Sequence, residues 1–553
     1  MSRTAEWWWI LVSLLLLNLT YASSQPVNTF NDGLGSEGQQ YHAMAKNMPR
    51  VLPPQGVSPF VYRLGTPFLV AGLAKSRDWV ISAGFDRLDV AFNVLSVILL
   101  ALLLQRHVAS VFARLLVIAA FMVEPHSPVR HSYFHPVDVD PATLAGLLAG
   151  LLGIEWFQSR PGRPRAALLA LVVAVGVALR AVMLVVGVSA LVCPVSATVS
   201  DSGSRPSSWS EALAARGRTW AWLPLVSGTL TLLAIYSWVV ATPSDYSASA
   251  EVLRWLREKS LLQYGVAWFL VFGPLLAVPA YFWRRTFSFL VEQPAFLAYL
   301  SLFAVLAWIS GGETERLLVF ASPVVYVLIG RAVTLTGVGP TTVAMASLLL
   351  AQALSSRVFS PIGGPIQPPR IRAEIWERLG ASGTAWALSY ENMWSQFCAP
   401  SMMALYLLWY GLAGGSVLCF LWYRTGGHEK VEALWRPARR FVHHAKDSLL
   451  IRLSATADLS PVVSARHFIH HWKNSLLIAL SATAALAPVV WLALSRFYWT
   501  HYAQPGYGYL LYNLARLWTL LVLLAAFWAT GAHIIGYVST ARDNSEHWSG
   551  RHV

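Results

Sequence analysis

Long apolar runs separated by short polar connections dominate the chain. Such runs lie at 7–22, 90–105, 108–124, 140–157, 166–179, 181–193, 220–241, 263–283, 294–309, 317–336, 339–355, 402–422, 474–495 and 513–536. An α-helix needs about 20 mainly apolar residues to cross a bilayer, so this pattern predicts about 12–14 transmembrane helices. The expected fold class is all-α, a polytopic integral membrane protein. A β-barrel is excluded, because its strands alternate apolar and polar residues, whereas runs such as Ala142–Phe157 and Trp220–Ala241 do not. The pattern divides the chain into a transmembrane module at 1–355, a polar loop at 356–401 and a C-terminal part at 402–553.

Composition agrees. The chain has 553 residues, of which 56% are hydrophobic and 12% charged. Soluble domains carry roughly a quarter charged residues. The net charge of +14 does not signify nucleic acid, because the basic residues sit in short connections between spans. Arg160, Arg163 and Arg165 occupy one such connection, and Arg284 and Arg285 another. That bias marks cytoplasmic loops and places both termini in the cytoplasm of a cell inner, or plasma, membrane. The stretch 166–193 keeps both basic groups inside only if it forms two short helices that meet at Arg180, with that arginine near the outer surface. The loops 23–89, 125–139, 242–262, 310–316 and 356–401 then face outward. The basic segment 423–473 lies inside, where anionic membrane lipids attract it.

The run Trp7–Ala22 resembles a signal peptide in outline, but the many spans that follow favour a retained anchor. Cys193, Cys398 and Cys419 form no disulfide or metal pattern. One duplication is present: residues 441–463 match 468–490 at 17 of 23 positions. The first copy is expected to be an amphipathic surface helix and the second a span.

Candidate chemistry gathers in the outer loops. In the first, Asp32 sits in an Asn-Asp-Gly turn, and Glu37 leads into QQYHAMAKNM, which predicts a short helix along the membrane surface. A second interfacial helix is expected within 58–73, with Arg63 near its start, where it could hold a phosphate or snorkel to headgroups. The second loop, EPHSPVRHSYFHPVDVDP, crowds His126, Arg130, His131, His135 and Asp138 together. Its spacing lacks a helical metal motif, so no metal ligand is assigned, although a divalent cation stays open. In SGGETERLLVF, Glu313, Glu315 and Arg316 stand where the chain enters the membrane. Acids suit a helix start, but Arg316 faces the positive end of the helix dipole, which points to a pairing or anion-binding role.

These segments together resemble the GT-C superfamily of polytopic glycosyltransferases, over roughly residues 1–336. The matching stretches are Asp32 with QQYHAMA, then PFVYRLGTPFL, HSPVRHSYFHPVDVDP and GGETERLL. The resemblance implies transfer of a sugar from a polyprenyl-phosphate donor to a glycan, lipid or protein acceptor on the outer face, with inversion at the anomeric carbon. It further implies Asp32 as general base with Glu37 beside it. Arg63, Arg130, Arg180 and Arg316 are the candidates to neutralise the leaving phosphate, and His126, His131, Asp138, Glu313 and Glu315 the candidates to orient substrate. Members of the superfamily pair an arginine with an acid after a short fifth helix, whereas Ala181 follows Arg180 here. Two other readings compete. An O-antigen polymerase or ligase would use Arg370, Arg372, Glu377 and Arg378 of the 356–401 loop, and a secondary transporter would place its coupling site near the membrane midplane.

Overall fold

The structure is a computed structural model. It describes residues 3–24, 34–77, 80–192, 220–242, 247–309, 314–336, 352, 355 and 400–422. The chain divides into two compact units. The first holds residues 1–337 and 349–407, and the second 338–348 and 408–553. Asp32, Glu313, the 356–399 part of the fifth outer loop and everything beyond Trp422 lie outside the described residues, as do both copies of the duplication.

Helices dominate the first unit. The element α1 (Arg3–Ser24) is followed by α2 (Gly35–Asn47), strand β1 (Gln55–Val57), a 3-10 turn at Phe60–Tyr62 and α3 (Gly65–Arg77). Next come α4 (Ile81–His107), α5 (Val111–Val123), the short α6 (Pro128–His131), α7 (Asp140–Ser159) and α8 (Arg163–Leu179). A 3-10 turn at Ala181–Met183 leads into α9 (Leu184–Leu191). Beyond Trp220 lie α10 (Leu223–Trp238), β2 (Val240–Thr242), α11 (Ala248–Glu258), α12 (Leu261–Phe272), α13 (Ala277–Tyr281), α14 (Trp283–Glu292), α15 (Pro294–Ile309), α16 (Thr314–Val319) and α17 (Ser322–Leu335). The helix Pro400–Trp422, α18, lies mostly in the second unit.

Among the described residues three helical stretches are long and apolar enough to cross a membrane: Thr4–Ala22, Ile81–His107 and Leu261–Tyr281. The bent pair α14–α15 would make a fourth. Several expected boundaries shift, each for a physical reason. The span expected at 90–105 runs back to Ile81, because Asp89 and Asn93 are buried rather than solvated. The run 220–241 is helical over Leu223–Trp238, and Val240–Thr242 pairs in parallel with Gln55–Val57. The run 317–336 breaks between α16 and α17, where Pro323 opens the second helix and could not continue the first. The basic connection at Arg284 and Arg285 is itself helical, α14 meeting α15 at 111°. The expected pair of helices meeting at Arg180 is present as α8 and the turn leading into α9, with Arg180 in extended backbone (φ −162°, ψ 136°) between them. The two segments expected to be helical in the first loop form α2 and α3, with Arg63 just ahead of α3.

The loop between α5 and α7 is packed into the fold: Glu124, His126, Ser127, Arg130, His131, Ser132 and Asp138 are all buried. Buried polar groups favour partners: His126 pairs with Glu124, and Ser132 accepts from Asn93 of α4.

Candidate functional site

Five separate segments bring charged side chains to one end of α4 and α7. From α16, Arg316 reaches three carboxylates. Its Nη1 lies 2.8 Å from Glu37 Oε1, its Nη2 donates to Asp138 Oδ1 at 2.9 Å, and its Nε donates to Asp140 Oδ2. Arg180 donates to the other oxygen of Asp140. Arg63 donates to Glu37 Oε2 at 3.1 Å and to the Tyr41 hydroxyl. The result is an alternating chain: Arg63, Glu37, Arg316, Asp138 with Asp140, then Arg180. Arginine's fixed fork of donors suits it to bridge several carboxylates at once.

Local sequence explains how each group is placed. Asp138 Oδ1 accepts the backbone N–H of Val139 at 2.6 Å and of Asp140 at 3.3 Å, which closes the entry to α7. Asp140 is the first residue of α7, and Pro141 follows it, a proline position that costs no hydrogen bond. An acid there also meets the positive end of the helix dipole. Two glycines let the first-loop helices approach. A Cβ on Gly38 would lie 2.7 Å from the carbonyl oxygen of Val137, beside Asp138. A Cβ on Gly65 would lie 2.9 Å from the backbone nitrogen of Leu179, beside Arg180. Only a residue without a side chain allows α2 and α3 to sit this close.

The cluster is buried at one side and partly open at the other: the side chains of Asp138 and Asp140 are each 8% exposed and that of Arg180 10%, whereas Arg316, Arg63 and Glu37 are 14%, 16% and 24% exposed. Tyr41, at the base of α2, is fully buried with Met44, Val61 and Val137. Burial pushes its phenol well above the usual range. Burial also opposes the charge on Glu37, but Arg316, Arg63 and Arg180 outweigh it and hold that carboxyl at about 2. Burial works against the charge on Arg63 as well, and Tyr41 with Glu37 outweighs it, so the guanidinium stays charged. Asp138 goes the other way. Burial, reinforced by Asp140 and partly offset by Arg316, raises its carboxyl to about 7. His135 is pushed down to about 4 by burial and by Arg316, so its imidazole is neutral near pH 7. Behind the cluster α4 contributes buried Asp89 and also Asn93, which donates to Ser132 Oγ at 2.8 Å.

Of the residues singled out in sequence, Glu37, Arg63, Asp138, Arg180 and Arg316 meet here. The others take different places. His126 Nδ1 sits 2.7 Å from Glu124. Arg130 donates to the Val123 carbonyl at 2.9 Å and lies 5.7 Å from the Tyr21 ring centroid. His131 is buried with its ring 5.0 Å from that of His135. Glu315 is fully buried, and its charge acts on Lys259, whose ammonium burial lowers to about 8. Arg180 is buried within the protein, and the acid that sequence does not place next to it is Asp140, 40 residues earlier.

Asp140 and Tyr41 also belong to the cluster; both lie within the stretches HSPVRHSYFHPVDVDP and QQYHAMA but are not among the site residues singled out in sequence. Glu37, Asp138 and Asp140 each engage a guanidinium, and no group of three or more His, Cys, Asp or Glu side chains among the described residues is arranged to hold an ion. Neither a protein-family model nor a characterised protein matches the chain.

Proposed function

We propose that the chain is a membrane glycosyltransferase of the GT-C kind that moves a sugar from a polyprenyl-phosphate donor to an acceptor hydroxyl on the outer face. The observation that carries this reading is the convergence of Arg63, Arg180 and Arg316 from three distant segments onto one buried cluster. A departing polyprenyl phosphate gains negative charge as its bond to the sugar breaks. Preorganised cationic donors in a dry site stabilise that charge without reorganising. Arg316 occupies the centre of the cluster and is the group assigned to the phosphate.

An acceptor hydroxyl needs a base as it attacks. Asp32, just upstream of α2, is assigned that role. Glu37 is a poor proton acceptor at about 2 and instead holds Arg63 and Arg316 in place. Asp138, near 7, is better matched to taking up a proton at neutral pH. Topology follows the charges. Arg106 and Glu155 pair at 2.8 Å at the far ends of α4 and α7, and Arg160, Arg163 and Arg165 lie beyond, so that end is assigned to the cytoplasm and the cluster to the outer face of the inner membrane.

The experiment uses the purified chain in nanodiscs with a panel of polyprenyl-phosphate sugars and measures release of polyprenyl phosphate. Wild type should release it and Asp32→Asn should not, while donor binding persists in the variant. Equal release by both proteins overturns the assignment of the base. Absence of release with every donor and every acceptor class offered overturns the reading as a transferase.

A further inference from the structure

The helix α11 (Ala248–Glu258) buries none of its residues. Successive residues of an α-helix turn by about 100°, which sorts its side chains onto three faces. Leu253 and Leu256 share one face and are 54% and 48% exposed. Glu251, Arg254 and Glu258 share the second and pair among themselves, Arg254 lying 3.0 Å from Glu258 and 3.6 Å from Glu251. Val252 and Trp255 occupy the third and are partly covered, and α11 packs against α15. Just past the helix, Lys259 is buried and donates to the Ala307 carbonyl of α15 at 2.7 Å. One face thus meets protein, one is ionic, and one offers bare leucine.

The place of α11 along the chain says what covers those leucines. The stretch Leu261–Tyr281, which opens with α12, is long and apolar enough to cross a membrane, and it begins three residues after Glu258. Only Lys259 and Ser260 intervene, both in extended backbone, and the Ser260 side chain caps α12. Three backbone steps reach about 10 Å at most, so α11 ends at the boundary where its neighbour enters lipid. Leu261 and Leu262 are exposed too, so bare leucine continues from α11 into that stretch. A helix with one apolar and one charged face lies in the plane of such a boundary, its apolar side among the acyl chains.

We infer that α11 is a membrane-docking helix whose Leu253 and Leu256 face sits in the headgroup and acyl boundary of the leaflet next to the Arg316 cluster. That leaflet follows from packing, since α12 lies against α16, the helix that carries Arg316. The inference rests on α12 as a membrane span and is independent of the transferase reading. Within α11 the charges of Glu251 and Glu258 balance those of Arg254 and Arg257, so the attraction is apolar and needs no anionic lipid.

The test places a nitroxide on single cysteines of the full-length protein in phosphatidylcholine nanodiscs, with the three native cysteines replaced. Collisions with oxygen, which concentrates in lipid, are compared with collisions with a water-soluble nickel chelate. Labels at Leu253 and Leu256, both exposed and so free of a folding cost, should favour oxygen several-fold more than labels at Arg254 and Glu258. A label at Gly265 of α12, exposed and with open space around its Cβ, reports the span itself and should favour oxygen as well. Nickel-accessible labels at Leu253 and Leu256 beside a lipid-facing Gly265 overturn the inference and leave the span standing. A nickel-accessible Gly265 overturns both. Protection of the two leucine positions from both reagents overturns the inference in favour of cover by another segment of the chain. A contrast that emerges only once phosphatidylglycerol is added overturns it in favour of charge-driven binding.

Discussion

Arg316 carries more of the site than any other side chain, since it touches Glu37, Asp138 and Asp140 together. Lysine keeps the charge but has no planar fork to serve three carboxylates. Arg316→Lys should therefore reduce kcat by about 100-fold, the loss expected when a preorganised donor is removed, with a smaller change in donor binding. Asp138 gives the site its pH dependence. With its carboxyl near 7, it is protonated below that pH and ionised above it. On protonation, three guanidinium groups face two carboxylates, so the cluster gains a net positive charge. Polyprenyl-phosphate affinity should rise as pH falls through about 7 in wild type, and Asp138→Asn should bind tightly at all these pH values. Glu37 has the opposite sign. Its folded carboxyl, at about 2, lies below the ordinary 4.5, so the stability it lends is present above about 4.5 and drains away as pH falls towards 2. Glu37→Gln should be less stable than wild type at neutral pH, and the gap, read by chemical unfolding, should close as pH falls from about 4.5 towards 2.

At the scale of elements, the site depends on how closely helices approach. Gly38 and Gly65 admit α2 and α3 against the backbone at Val137 and Leu179. Gly38→Ala forces α2 away from a backbone oxygen, which no side-chain rotation relieves. It should lower transferase activity at least as much as it lowers Tm, because Glu37 is the next residue. The Arg180–Asp140 pair ties the break after α8 to the start of α7. Arg180→Gln frees one oxygen of Asp140 while Arg316 keeps the other, so it should destabilise by less than the about 3–5 kcal/mol of a fully stranded buried charge. An unchanged Tm in Arg180→Gln would show that the pair does not fasten these elements.

For the whole molecule, the orientation can be tested directly. With the three native cysteines replaced, a cysteine at exposed Arg50 should react with a membrane-impermeant maleimide in intact cells, whereas one at exposed Pro161 should react only after permeabilisation. The reverse pattern would invert the molecule and place the cluster in the cytoplasm.

The sequence by itself determined the helical character, the approximate places of the apolar elements and the division at Arg180, because each follows from local hydrophobicity and from the cost of burying charge. It also picked out Glu37, Arg63, Asp138, Arg180 and Arg316 one by one, since a charged residue beside an apolar run needs a reason. What they do together was decided by tertiary structure. Arg316 meets its carboxylates from 176 and 178 residues away, and Arg180 finds its acid 40 residues back. Those separations leave no local periodicity to read. The pairing of Gln55–Val57 with Val240–Thr242 was invisible for the same reason, as two short strands gain their hydrogen bonds only once the helices between them have brought the edges together.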